Sequence, residues 1–159
     1  MKFFAISLIL FASCAFSYSR AEREDYRLSV FVELYSFLEV ISREIGCYLK
    51  PIHSICASYS SPQLFRLGFF SDIQSEGAHN AYMKLESKAI LPSDASRVFR
   101  EFFSLLGKGY AEDELKLAER ALKELSPILF AERERVKKEK KLTVTLSSAA
   151  ALGLIILLI

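Results

Sequence analysis

Residues 92–129, PSDASRVFREFFSLLGKGYAEDELKLAERALKELSPIL, decide the fold class. Pro92-Ser93-Asp94 supplies a helix start, with a proline-fixed φ and short side-chain oxygens suited to the first unsatisfied N–H groups. Val98, Phe99, Phe102, Phe103 and Leu106 then recur at three and four, the apolar face of a 3.6-residue helix. Gly107 and Gly109 stop that helix, because glycine is the usual residue past a helix C-terminus. After a turn over Lys108–Tyr110, Glu112, Asp113 and Glu114 suit the positive end of a new helix dipole. Leu115, Ala118, Leu122, Leu125 and Leu129 continue the three-and-four spacing. Two amphipathic helices joined by a glycine turn predict an all-α bundle. Composition agrees, since 6 Gly and 4 Pro in 159 residues leave few breakpoints, while 13 Phe supply core volume.

Working upstream, Leu28, Phe31, Tyr35, Leu38, Ile41 and Ile45 predict an amphipathic helix from about Glu22 to Tyr48. Glu24, Glu33, Glu39, Arg43 and Glu44 fall largely on its other side; Gly46 frays it and Pro51 ends it. A short apolar stretch after Pro62 (QLFRLGFFSDI) and another from Ala78 to Ile90 predict two lesser helices. Downstream, Pro127 is expected to kink the last helix after about Leu125, and nothing else up to Ile159 breaks it. The final bundle helix is therefore expected to continue toward the end of the chain, coupling it mechanically to whatever that end contacts.

Both ends are apolar. Leu142–Ile159 (LTVTLSSAAALGLIILLI) carries no charged side chain and follows Arg133, Arg135, Lys137, Lys138, Lys140 and Lys141. At about 1.5 Å per residue it measures about 27 Å, close to a hydrocarbon core of roughly 30 Å. The expectation is a helix that spans a bilayer and ends the chain. Phe3–Phe16, after Lys2, is a second apolar run, flanked downstream by Arg20, Arg23 and Arg27. Cationic flanks stay on the cytoplasmic side, so both predict a central domain facing the cytoplasm. The expected organisation is a membrane anchor at 1–19, a helical domain at 20–141 and a transmembrane helix at 142–159. Phe11-Ala12-Ser13-Cys14 also approximates a lipoprotein box. An exported lipoprotein or secreted helical protein thus stays open, as does a tail-anchored tether. Ser147, Ala149, Ala151 and Gly153 place small residues at a spacing that lets spans approach closely.

The sequence predicts no enzyme. Net charge is +2, from 21 Lys and Arg against 19 Asp and Glu, so no broad basic face for nucleic acid is expected. Cys14, Cys47 and Cys56 lack CxxC spacing, and His53 and His79 lack helical pairing, so no metal site is expected. In an exported domain Cys47 and Cys56 would be placed to pair across a short loop; in the cytoplasm they are expected as buried thiols. Glu112, Asp113 and Glu114 read as dipole-compensating and solvated rather than catalytic. Phe69 and Phe70 with Phe102 and Phe103 read as core rather than a ligand box. No phosphate-binding glycine loop or nucleophile–base set is present. Catalytic, cofactor and metal residues are all expected to be absent. Arg97, Arg100, Glu101, Lys116, Glu119, Arg120, Lys123 and Glu124 form a mixed-charge face that suits a polar subunit interface.

Several local matches resemble one family. Leu38-Glu39 and Glu44-Ile45 before Pro51-Ile52 are similar to its first-helix L-E…E-I and the following P-L. Phe102-Phe103-Ser104-Leu105-Leu106-Gly107, followed by a helix with Leu117, Ala121 and Leu125, is similar to its F-x-x-x-L-G and long helix. Tyr110 and Glu114 stand where that family usually shows Asp and Gln. With the anchor–domain–span layout, the chain resembles the stage III sporulation protein AB family. The resemblance implies a component of the channel that endospore formers assemble between mother cell and forespore. It also implies a platform role similar to that of inner-membrane protein F of type II secretion. The expected partners are the bilayer, the AA ATPase of the sporulation system and its other membrane proteins. The expected location is the mother-cell membrane around the forespore.

Overall fold

The computed structural model describes the backbone at residues 2–48, 52–88 and 91–158. Side chains are described at 18–46, 54–88, 91–143, 145–147, 149, 150 and 153. The described residues form helices only: α1 (Lys2–Tyr48), α2 (Ile52–Ser58), α3 (Pro62–Arg66), α4 (Phe69–Glu76), α5 (Ala78–Lys88), α6 (Ser93–Leu105) and α7 (Ala111–Leu158). The chain divides into two compact units, Arg27–Ala131 and the pair of segments Met1–Tyr26 with Glu132–Ile159. The all-α expectation is met.

In the Arg27–Ala131 unit the core is aromatic. Val30, Phe31, Leu34, Phe37, Leu38, Ile41 and Ile45 of α1 are buried against α4, α5, α6 and α7 residues including Phe69, Tyr82, Phe99, Phe103, Ala118 and Leu125. Rings meet edge-on between α1 and α6 (Phe31–Phe99, 5.8 Å), between α1 and α4 (Phe37–Phe70, 5.4 Å) and between α4 and α6 (Phe69–Phe103, 5.5 Å). Tyr82 of α5 stacks on Phe103 at 5.2 Å and donates its hydroxyl to the Ser96 carbonyl at 3.3 Å, so its polar end is satisfied at full burial. Burial pushes that phenol up to about 12. Gly46, at the end of α1, brings that helix close to α7: a Cβ there would meet Leu115 Cδ1 at 3.3 Å.

Several local expectations change. The stretch after Pro62 is two helices, broken at Leu67-Gly68, where Gly68 adopts φ 78°, a conformation that strains any residue with a Cβ. Helix α2 was not anticipated, because seven residues, IHSICAS, are too few to show a period. The Cys56 thiol is free and buried, which raises it to about 11. Cys14, Cys47 and His53 lie outside the described side chains. Pro92 is the N-cap of α6 and makes no side-chain cap bond; Ser93 and Asp94 already belong to the first turn. As expected of its continuation, α7 runs through Pro127 as one helix.

Glu33 departs from the polar face expected of it. It reaches α3, where its carboxylate accepts from the Gln63 N–H (2.9 Å), the Leu64 N–H (3.1 Å) and the Ser61 hydroxyl. Ser61, the formal N-cap, makes no cap bond of its own, so α3 is capped by a charge from α1.

The unit of residues 1–26 and 132–159 is described chiefly at its charged part. Arg135 of α7 binds Glu132 through two bonds (2.9 and 2.7 Å), Glu139 at 2.6 Å and Glu24 of α1 at 2.5 Å. The hydrogen bonds it donates to Glu132 and Glu24 hold its guanidinium well above the ordinary range. Lys140 pairs with Asp25 at 2.6 Å, and Val136 is buried beside them. Among the described residues no helix is long and apolar enough to cross a membrane. The apolar runs expected to do so lie largely outside the described side chains: all of Phe3–Phe16, and in the second run residues 144, 148, 151, 152 and 154–159. Of the small residues in that second run, Gly153 is exposed, and a Cβ there would meet nothing among the described residues.

Candidate functional site

The turn that joins α6 to α7 fixes the geometry of the candidate face. Gly107 adopts φ 82°, and its N–H donates to Glu114 Oε1 at 2.7 Å. Glu114 thus clamps the turn from the first turn of α7, leaving Glu112 and Asp113 exposed at the helix start. Consecutive carboxylates here do structural and dipole work. The turn brings the exposed sides of α6 and α7 alongside each other.

Between them runs a shallow groove lined by Val98, Glu101 and Phe102 of α6 and by Leu117, Arg120, Ala121 and Glu124 of α7. Its enclosed space is about 10 Å³, room for roughly one water, too little for a metabolite. Arg120 bridges the walls, donating to Glu124 at 3.0 Å and lying 4.0 Å from Glu101. The Glu124 bond, with the charge of Glu101, holds the Arg120 guanidinium above its ordinary range. Arg100, also exposed, is bound to Glu86 of α5 at 2.6 Å. Such exposed pairs add little stability, on the order of 0–1 kcal/mol each. They do fix a pattern of both signs of charge along the groove.

The mixed-charge face read from the sequence is therefore brought together in part. Glu101, Arg120 and Glu124 form one network at the groove, with Leu117 as its half-buried apolar floor. Arg97, Lys116, Glu119 and Lys123 are exposed on the same helices, without an ion pair among the described residues. Leu105 and Tyr110, at the α6–α7 end, are exposed at 46% and 86%, which adds apolar contact area that the charge pattern of the face does not mark. Their signal was positional: large apolar residues flanking Gly107 where the buried stripe has ended.

Phe69, Phe70, Phe102 and Phe103 are buried and packed ring against ring, as core residues. Among the described residues no group of three or more His, Cys, Asp or Glu side chains has the arrangement to hold a metal ion.

No curated protein and no solved structure matches the chain. A family model does, over residues 2–159, and its description is stage III sporulation protein AB. That span includes the Phe102–Gly107 motif, its clamped turn and both apolar ends. The chain belongs to the stage III sporulation protein AB family, and its role lies in stage III of sporulation.

Proposed function

We propose that this chain is a non-enzymatic membrane platform of the sporulation secretion complex and receives the cytoplasmic secretion ATPase on the α6–α7 face. Residues 1–19 and 142–159 hold it to the mother-cell membrane around the forespore, with the helical domain at 20–141 in the cytoplasm. Support for the anchoring comes from the uncharged run Leu142–Ile159 and from cationic flanks on the inner side of both apolar runs. The observation that carries the docking role is the Glu101–Arg120–Glu124 network over Leu117: exposed, charged in both signs and apolar at its floor. That is the make-up of a polar, reversible subunit interface rather than of a substrate pocket.

The test is binding of the full chain, in detergent micelles, to the ATPase in its ATP, ADP and nucleotide-free states. Arg120→Glu puts a third carboxylate beside Glu101 and Glu124 and is expected to weaken binding about tenfold or more by lost complementarity. Phe65→Ser, at an exposed position on α3, is expected to leave binding unchanged. Absence of binding by the unaltered chain in all three nucleotide states removes the docking role.

A further inference from the structure

The cations before Leu142 are not equivalent. Arg135 is consumed by Glu24, Glu132 and Glu139, and Lys140 by Asp25; both tie α7 to α1 within their unit. Lys137, Lys138 and Lys141 are different. At i,i+3 and i,i+4 spacing they share one face of α7, where like charges destabilise a helix. All are exposed, and their acidic neighbour, Glu134, lies 3.9 Å from Lys137 alone. Lys138 and Lys141 have no ion pair among the described residues. A fold that matches Arg135 and Lys140 to carboxylates leaves this turn with an excess of positive charge. The excess sits at Lys141, the last residue before the uncharged run begins.

We propose that Lys137, Lys138 and Lys141 bind the phosphate of an anionic phospholipid headgroup. The site depends on the reading of Leu142–Ile159 as a span, which puts these ammonium groups at headgroup depth. Their long stems lie along the helix while their heads reach the interface. A phosphate there relieves the repulsion among three lysines of which Lys137 alone has a carboxylate partner, Glu134, among the described residues. Arg135, already saturated, has no part in it. Binding sets the depth of α7 in the membrane and favours anionic-rich regions of the bilayer.

The experiment reconstitutes the full chain into phosphatidylcholine vesicles containing spin-labelled phosphatidylcholine or phosphatidylglycerol and measures the immobilised fraction of each. The expected result is roughly a fivefold preference for phosphatidylglycerol, in line with the pull of several cations at an anionic surface. The variant K137Q/K138Q/K141Q is expected to lose it, and Arg135→Gln to keep it. A chain washed off the vesicles at alkaline pH overturns the membrane reading itself. A chain retained but without preference overturns only the headgroup site, as does a preference that survives in the lysine variant. Abolition by inorganic phosphate at matched phosphate concentration makes this a free-anion site and overturns the lipid assignment.

Discussion

Phe99→Ala is expected to destabilise the Arg27–Ala131 unit by about 3–5 kcal/mol, the usual result of emptying a fully buried aromatic site. Phe99 is 0% exposed and lies where α1, α5 and α6 meet, its ring 5.8 Å from Phe31, 6.0 Å from Tyr82 and 6.3 Å from Phe103. Those rings are held by other contacts, Phe103 between Phe69 and Tyr82 for instance, so the space has little freedom to collapse. In a unit of this size each kcal/mol moves the melting midpoint by about 4–8 °C, so a fall of roughly 12–40 °C is expected. Phe65→Ala is the contrast. That ring is 77% exposed, and its loss is expected to matter by about 0.5 kcal/mol or less. Thermal unfolding of the two variants in the full chain, followed by circular dichroism in detergent, checks both. Equal midpoints would mean that the aromatic cluster is not the core.

Glu33→Ala is expected to destabilise the same unit by about 2–3 kcal/mol, because it strands the Gln63 and Leu64 N–H groups together with the Ser61 hydroxyl. Ser61 is 3% exposed, so water does not readily replace the lost acceptor. Glu33→Gln keeps an oxygen acceptor but gives up the charge at the start of α3, and is expected to recover about half of the loss. Chemical denaturation of the variants decides between the capping role and a solvated-face role. In the latter, neither variant would differ from the parent by more than about 0.5 kcal/mol.

Glu33 also shows where the sequence stops being informative. The period-3.6 pattern marks Phe31, Leu38, Ile41 and Ile45 as buried, and they are. It does not mark Glu33, whose partners lie about thirty residues away on a helix of only five residues. It also understates how much of α1 is covered. Val30, Leu34 and Phe37 are buried as well, while Leu28 and Tyr35 are only partly buried, because the covered face is a single stripe turned toward Leu34 and Ile41. In α6 the reading was nearly complete: Val98, Phe99, Phe102, Phe103 and Leu106 are all buried, and Gly107 is the stop. There the contacts that matter are local or face a single core.

The candidate face was legible as a composition of charges but not as a network. Arg120–Glu124 is an i,i+4 pair that spacing alone can suggest. Glu101, by contrast, joins them from another helix, across the turn that Glu114 clamps. The collar before Leu142 carried the opposite lesson. A count of its cations treats Arg135 and Lys141 alike, whereas Glu24, distant in sequence, neutralises the first and leaves the second exposed.

The orientation of the helical domain tests the account most directly. A full chain with Cys14, Cys47 and Cys56 replaced, and with Lys116→Cys on the exposed side of α7, is treated in intact cells with a membrane-impermeant maleimide. The result expected is no labelling until the cells are permeabilised, followed by full labelling. Labelling in intact cells contradicts the account, because a domain on the outer side has no route to the cytoplasmic ATPase.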